Sequence, residues 1–456
     1  MNPSPEGKGR GGVRSPNQPQ ATGTPMKKVL LYSILLLLGL LLSQLLPAHL
    51  GSAAGTYANI VRILTMIGLA CIMIHVGYEF DIDKSKLRTY GFDAFVATTA
   101  AFFPWILCTL YFVLVILPRP ATQELGVWKE ALIASLFSAP TSAGVLFSML
   151  AAAGLAATWV YRKARILAIF DDLVVVLMMV PVKIAMVGAR WQLAVVVAIV
   201  FTLLAIAWKF LHRFRLPITW GWTLSYAVGI AGISELIYAA TKSIDQSMPI
   251  HIEVLLPAFV LGCIIVRQRA TGQPLTPADD HHDDVLAQPA EKHATTIVSA
   301  CFMVLVGLSM PLFINQIGIA PPSPANLPLT GQAAQAAIEA DAIPLGNFLR
   351  QLTPQMGWGQ IILHVLAITF LCNLGKMFPA FCYRKETTPR QRLALAIGMW
   401  PRGEVGAGVL VVSLGYGIGG PILVIALLSL ALNLCLTGLF ILTIKKILSR
   451  DTTITT

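Results

Sequence analysis

Charged residues are scarce in this chain. Asp, Glu, Lys and Arg make up 12% of its 456 residues, about half of the roughly 25% that soluble domains contain. The seven cysteines occur singly and show neither the spacing of zinc ligands nor a disulfide framework. These shortages exclude an ordinary soluble domain and a cysteine-based metal centre. What the chain has instead is hydrophobic residues, 56% of the total.

The hydrophobic residues are grouped into runs long enough to cross a bilayer, which takes about 20 residues. Because lipid offers no hydrogen bonds to the backbone, such runs must be helices. We therefore predict an all-α polytopic membrane protein with about twelve transmembrane helices, embedded in a lipid bilayer. The predicted spans are residues 29–46, 57–78, 91–117, 129–152, 164–188, 191–211, 218–239, 250–266, 294–314, 357–383, 391–415 and 421–444.

The distribution of basic residues explains the formal net charge of +11. With the amino terminus placed in the cytoplasm, 24 of the 33 Lys and Arg residues fall in cytoplasmic connections and tails, five fall outside and four lie within helices. This asymmetry is the positive-inside rule, and it places both termini in the cytoplasm. The sequence thus predicts a multi-pass protein of the cell membrane and no nucleic-acid partner.

Asp171 and Asp172 stand side by side inside an apolar run. A carboxylate at membrane depth costs several kcal/mol, so such residues mark ion or proton paths by default. Lys376 lies at a similar distance from the cytoplasmic end of its own predicted helix, about 12 Å against about 10 Å for Asp171. The sequence therefore predicts that Lys376 lies at about the same depth in the membrane as Asp171 and carries the opposite charge. The alternative is a purely structural bridge, with Lys376 reaching towards the surface.

Two predicted helices carry helix breakers at mid-depth, in residues 138–144 around Pro140 and in residues 398–406 around Pro401. Proline removes an amide donor and clashes with the preceding turn. The two interruptions lie in the middle helices of two triplets of opposite orientation, and paired breaks of this kind are the sequence sign of a transporter site. We predict an inverted repeat with two crossed discontinuous helices. An ordinary proline kink is the alternative for either site alone.

These motifs resemble a known family. In chain order they are Gly77-Tyr78-Glu79-Phe80-Asp81, Thr141-Ser142, Asp171-Asp172, Gly375-Lys376 and Pro401-Arg402-Gly403-Glu404-Val405. The pattern resembles the monovalent cation:proton antiporter superfamily, in particular its bacterial sodium/proton antiporters and potassium-efflux-like members. The resemblance spans about residues 57–445. The family usually has leucine where this chain has Tyr78, and some members have a third carboxylate where it has Ser142, which leaves the ion preference open.

The resemblance implies a core of crossed, broken helices that moves against a dimerisation domain, and hence a homodimer. Because the members it resembles most are bacterial, it also implies the bacterial inner membrane as the location. It implies that Asp172 is the main carrier of cation and proton and that Asp171 pairs with Lys376. Thr141 and Ser142 would lie beside the bound ion. From the residues themselves, we assign Pro140, Pro401, Arg402 and Glu404 to the structure of the helix breaks. No counterpart of the family's nucleotide-binding tail is seen, which argues against a ligand-gated potassium-efflux system.

The predicted organisation alternates scaffold and transport segments. It comprises a disordered cytoplasmic tail (1–28), dimerisation or panel helices 1–2 (29–90), core transport helices 3–5 (91–188), connecting helices 6–7 (189–239), panel helices 8–9 with a cytoplasmic loop at 267–293 (240–317), an extracytoplasmic loop (318–356), core transport helices 10–12 (357–445) and a cytoplasmic tail (446–456). The acidic and histidine-rich run 279–284 has a composition that allows metal binding, but we interpret it as a solvated loop.

The predicted function is the exchange of a monovalent cation for protons by alternating access, with sodium expected first and potassium or lithium as the other choices. Two other classes stay open: an ion-responsive membrane scaffold or sensor that does not transport, and a sodium:organic-anion symporter with a similar core. The intact Asp171-Asp172 pair with Lys376 argues against both classes, and an anion symporter in particular would not place two carboxylates beside its substrate. We predict no catalytic residue, no metal-binding residue and no cofactor.

The charge asymmetry generates a topology prediction. A single cysteine at Ala333, in a background without the seven native cysteines, should react with an impermeant maleimide from outside the cell. One at Asp283 should react only after permeabilisation. Deletion of residues 1–25 should leave insertion intact, because Lys27 and Lys28 keep the inside charge. Labelling of Asp283 but not Ala333 in intact cells would invert the assignment.

Overall fold

The part of the protein that the structure describes is built almost entirely from α-helices. The computed structural model describes residues 25–50, 53–80, 87–188, 190–244, 250, 252, 254–268, 285–310 and 347–452. Within these residues there is no β-strand, only an isolated bridge between Phe214 and Ile265. The all-α prediction is therefore confirmed. The acidic run 279–284 lies outside the described residues, as do residues 318–346 of the extracytoplasmic loop and residues 1–24 of the tail.

Fifteen α-helices follow one another along the described residues. They are α1 Pro25–Leu50, α2 Ala54–Tyr78, α3 Leu87–Tyr111, α4 Leu125–Ser135, α5 Ala143–Ala152, α6 Trp159–Val187, α7 Trp191–Lys209, α8 Trp220–Ile244, α9 Leu255–Ile264, α10 Pro289–Leu308, α11 Phe348–Leu352, α12 Trp358–Gly375, α13 Pro389–Gly398, α14 Glu404–Gly415 and α15 Pro421–Thr452. Helix α1 begins at Pro25, so the last four residues assigned to the tail are helical.

Nine spans in the described part of the chain are long and apolar enough to cross a membrane, and each coincides with a predicted one. The other three predicted spans depart from a plain apolar helix. Helix α6 is 29 residues long but carries several charged residues, Asp171 and Asp172 among them. Helix α9 has only 10 residues. The eleventh span is divided into α13 and α14. These exceptions include α6, with Asp171 and Asp172, and the divided eleventh span, with Pro401.

The helices pack in two groups. In the first, α1 lies against α10, and α2 lies against α8, α9 and α10. In the second, α3 packs on α4, α6 and α12, while α15 packs on α12 and α13. Helix α1 also contacts α15, which joins the groups. The grouping places the two broken helices together, and the division into panel and transport helices stays a prediction.

Both predicted helix breaks are present. Helix α4 is followed by the 3-10 turn Leu136–Ser138 and then by non-helical backbone through Pro140 up to α5. Pro401 lies in the equivalent gap between α13 and α14. The two gaps cross, because the backbone N–H of Ser142 donates to the carbonyl of Pro401 at 2.9 Å. The prediction of two crossed discontinuous helices is confirmed.

Glycines allow two of the helix crossings to be very close. A Cβ atom placed on Gly39 would lie 2.2 Å from the carbonyl oxygen of Val304 in α10, and one on Gly262 would lie 2.2 Å from that of Ile74 in α2. No side chain fits at such a distance. Small residues serve this purpose in membranes, where close packing takes the place of the hydrophobic effect between helices. The first group of helices therefore depends on contacts with glycine backbone at these two points.

This close packing generates a stability prediction. Gly262→Ala should lower the melting temperature of the purified protein, because the added methyl meets backbone and overpacking typically costs about 1–3 kcal/mol. Gly232→Ala is the matched control, since that helical glycine has no atom within 4 Å of the added carbon. An unchanged melting temperature for Gly262→Ala would show that α2 and α9 do not cross so closely.

Candidate functional site

The centre of the helix crossing holds a buried ion pair. Asp171, in the middle of α6, is fully buried and so is Lys376. The lysine Nζ lies 2.9 Å from Asp171 Oδ1 and 2.7 Å from Oδ2. The backbone N–H of Thr141 donates to Oδ2 at 2.8 Å. These charge-assisted bonds offset part of the large cost of removing both ions from water.

The end of helix α12 explains the position of Lys376. The α-helix stops at Gly375, and Lys376 is its C-cap residue. The partial negative charge of a helix C-terminus favours a cation there. Gly375 brings the chain close to α3, since a Cβ atom on it would lie 2.5 Å from the backbone nitrogen of Pro104. The position of Lys376 is therefore fixed by the end of α12 and by the close contact of Gly375 with the backbone of α3.

Asp172 follows Asp171 and is also buried, with 6% of its surface exposed. Successive residues on an α-helix point about 100° apart because 3.6 residues make one turn. Asp172 therefore faces a different side of α6 from Asp171. It still attracts the Lys376 ammonium electrostatically. Two carboxylates thus lie near a single lysine, which directly contacts one of them, Asp171.

Thr141 and Ser142 join the two helix breaks. The Thr141 hydroxyl donates to the carbonyl of Met399 at 3.0 Å, and the Ser142 hydroxyl donates to Glu404 Oε2 at 2.6 Å. Gly403 leaves room for this second bond, since a Cβ atom on it would lie 3.0 Å from Ser142 Oγ. The segment before α5 is therefore tied by side chains to both sides of the α13–α14 break.

Arg402 satisfies carbonyl groups around the breaks. Its fully buried guanidinium donates to the carbonyls of Ser138 at 3.0 Å, Trp400 at 3.1 Å and Cys372 at 2.8 Å. It also donates to Asn373 Oδ1 at 3.0 Å. Helix C-termini leave carbonyls without intrahelical partners and carry partial negative charge. One cation therefore compensates the ends of the two half-helices that precede the breaks and a carbonyl near the end of α12.

The predicted site residues occupy one region of the structure. Asp171, Thr141 and Lys376 are in direct contact, while Ser142 contacts Glu404 and the backbone of Pro401. Arg402 and Glu404 both form bonds from one helix break to the other, and the Glu404 bond places its carboxylate against a predicted site residue. Their functional roles stay predictions.

Sequence reasoning missed Asn373 and the carbonyls that Arg402 binds. Asn373 precedes Lys376 by three residues, which puts the two side chains on neighbouring positions of the same helix face. That spacing was a usable signal for Asn373. The carbonyl partners carried no signal, because any residue can supply a carbonyl. Among the described residues, no group of three or more His, Cys, Asp or Glu side chains could hold a metal ion.

The ion pair generates a stability prediction. Lys376→Gln should lower the free energy of unfolding by about 3–5 kcal/mol, because it leaves the Asp171 charge buried without its counter-ion. The melting temperature in detergent measures the effect, and Asp171→Asn in the same chain should restore part of the loss by removing the stranded charge. An unchanged melting temperature for Lys376→Gln would mean that the pair does not form.

Comparison with known proteins shows a likeness to solved structures. No family model matches the chain, and no curated protein matches it. Among solved structures, the sodium proton antiporter MjNhaP1 from Methanocaldococcus jannaschii matches with a TM-score of 0.50 and 15% sequence identity, over 91% of this chain and 92% of that chain. Identity this low shows the fold and nothing further. The chain has the helical fold of that antiporter, which confirms the fold implied by the sequence motifs.

Proposed function

We propose that the protein exchanges a monovalent cation for protons by alternating access, with Asp172 as the carrier of both. The observation that carries the proposal is the buried pair of Asp171 and Lys376 with Asp172 directly beside it, at the crossing of two broken helices. Ionisable residues at membrane depth are expensive and mark ion paths. The likeness in fold to a sodium proton antiporter supports the same conclusion.

The charges of the region suit a single monovalent ion. Three carboxylates (Asp171, Asp172, Glu404) and two cations (Lys376, Arg402) give a formal charge of −1 when all five groups are ionised. One proton or one monovalent cation neutralises this set. Because moving a net charge through an apolar barrier costs several kcal/mol, the loaded site moves more easily than the empty one. Exchange follows from that difference, since the site moves only when it holds one ion or the other.

Competition between the two ions is the central step. A proton on an Asp172 oxygen removes the negative charge that would hold a cation, so the two do not bind together. Asp171 is held by Lys376 and the Thr141 amide, and we assign the carrier role to its neighbour Asp172, as the family resemblance implies. The hydroxyl groups of Thr141 and Ser142 and the unwound backbone offer oxygen ligands of the kind that coordinates Na⁺ in broken-helix transporters. Sodium is therefore the first cation to test, followed by potassium and lithium.

The setting of this activity follows from the topology. We place the protein in the cell membrane as a homodimer with both termini in the cytoplasm, on the charge asymmetry of the connections and on the family resemblance. Nothing in the proposed cycle makes or breaks a covalent bond other than to a proton, so the protein acts as a transporter and not as an enzyme. The non-transporting scaffold and the organic-anion symporter are the classes that the next experiment tests.

Asp172→Asn should abolish cation-dependent proton release from inverted vesicles, while the protein still inserts and purifies. Asparagine keeps the size of the side chain but cannot titrate. The measurement is the recovery of a pH-sensitive dye on addition of sodium, potassium or lithium salt in turn. Asp172→Glu is the matched control, because it keeps a titratable carboxylate and should retain measurable exchange.

Normal exchange by Asp172→Asn would remove this residue from the carrier role. Wild-type vesicles that respond to none of the three cations would favour a scaffold or sensor. Proton-independent uptake of an organic anion with sodium would favour the symporter.

A further inference from the structure

A second buried cluster of charged residues lies at the end of the bundle where α6 begins. Asp93 of α3 is fully buried and accepts a hydrogen bond from the Tyr383 hydroxyl at 2.8 Å. The Nζ of Lys163 lies 2.9 Å from Asp93 Oδ1 and 3.2 Å from an oxygen of Glu386. We call these four residues the Asp93 cluster. It joins α3, α6 and the connection between α12 and α13.

The cluster holds Tyr383 in an unusual backbone conformation. Its φ angle is +56°, in the left-handed region that residues with a side chain rarely adopt. The ring is fixed by edge contacts with Phe92, centroids 5.5 Å apart, and Trp159, centroids 5.8 Å apart. Lys163 Nζ lies 4.5 Å from the ring centroid. Strained residues persist only where the surroundings over-determine them, so the connection is held firmly at this point.

The Asp93 cluster and the Asp171–Lys376 pair connect the same two segments at two levels. Lys163 precedes Asp171 by eight residues on α6, a rise of about 12 Å. Tyr383 follows Lys376 by seven residues on the chain that leaves α12. The first level is the ion pair at the helix crossing. The second level, about two turns nearer the start of α6, is the contact of Lys163 with Tyr383 and Glu386.

We propose that Asp93, Lys163 and Tyr383 are positioning residues that set the register of α6 against the α12–α13 segment, and through it the geometry of Asp171, Asp172 and Lys376. The inference rests on the proposed exchange function. The charge on Asp172 changes each time a proton or cation leaves, which alters the forces on Lys376. The Asp93 cluster is a second contact between α6 and the α12–α13 segment, and it keeps the two segments aligned during that change. Supporting residues of this kind affect ion affinity without touching the ion.

Tyr383→Phe is the sharpest test. It removes only the hydroxyl that donates to Asp93 and keeps the ring between Phe92, Trp159 and Lys163. The half-saturating sodium concentration should rise about 10-fold, both in vesicle exchange and in the sodium-dependent rise of melting temperature. The maximal exchange rate should change by less than about 2-fold, since only binding geometry is altered. Lys163→Arg should retain more sodium affinity than Lys163→Met, because it keeps the charge beside Asp93.

The matched control is Glu235→Gln, which breaks the 2.6 Å ion pair of Arg62 and Glu235 between α2 and α8. It should lower the melting temperature slightly and leave the half-saturating concentration unchanged. If Lys163→Met does not fold, Glu386→Gln supplies a milder change at a partly exposed partner. It should shift the half-saturating concentration in the same direction as Tyr383→Phe, but by less.

Wild-type half-saturation in both Tyr383→Phe and Glu386→Gln, with a lowered melting temperature, would reduce the cluster to a structural role and overturn the proposal. Failure of the wild-type protein to exchange any cation would instead overturn the proposed function. The positioning claim would then be decided by a double-mutant cycle of Tyr383→Phe and Lys376→Gln, read as melting temperature. Non-additive losses would support coupling between the two levels, and additive losses would refute it.

Discussion

The arrangement of the functional region depends on the contact between Asp171 and Lys376. A charge buried at this depth is tolerated only with a partner and further hydrogen bonds, and both are present: the lysine bridges the two carboxylate oxygens and Thr141 donates its amide. The pair joins α6 to the end of α12 and brings the segment before α5 against both. Because Asp172 is adjacent in sequence, its position is fixed by the same contact. Removal of either ion would disturb three segments at once.

The two helix breaks leave backbone carbonyl groups without intrahelical partners, and the Arg402 guanidinium donates hydrogen bonds to several carbonyls in this region. Each interruption leaves carbonyl groups that lipid cannot satisfy. A single guanidinium reaches Ser138 before one break and Trp400 before the other, and it extends to Cys372 and Asn373 near the end of α12. A lysine could not make these contacts, because it lacks the planar set of five donors. The positive charge also balances part of the negative charge of the site, so the residue that holds the breaks also contributes to the charge of −1 on which the proposed exchange depends.

Particular residues show how far the sequence could predict this site. The breaks at Pro140 and Pro401 follow from local chemistry, since proline cannot continue the hydrogen-bond ladder. The number of residues between each side chain and the cytoplasmic end of its predicted helix indicated that Lys376 and Asp171 lie at a similar depth. The bond of Ser142 to Glu404 joins residues 262 positions apart, and no local pattern encodes such a meeting. Asp93 and Tyr383 were missed for the same reason: each is ordinary in its own segment and acquires its partner only when α3 packs beside the α12–α13 connection. The short α9 was also not anticipated, because an apolar run does not reveal where the helix within it ends.

Fully buried charged residues distinguish the connections of the second group of helices from those of the first. In the first group, bare glycine backbone at Gly39 and Gly262 brings helices into contact, and such contacts carry no charge and do not respond to protons. In the second group, buried charged residues make the connections, at Asp171, Arg402 and Asp93. Connections made by ions respond to the gain or loss of a nearby charge, and those made by glycine do not. The first group has an ion pair of its own between Arg62 and Glu235, but those side chains are 39% and 22% exposed, whereas Asp171, Lys376 and Arg402 are fully buried. The exchange proposed above changes the charge beside Asp171 and Lys376, so its effect falls on connections of the second group.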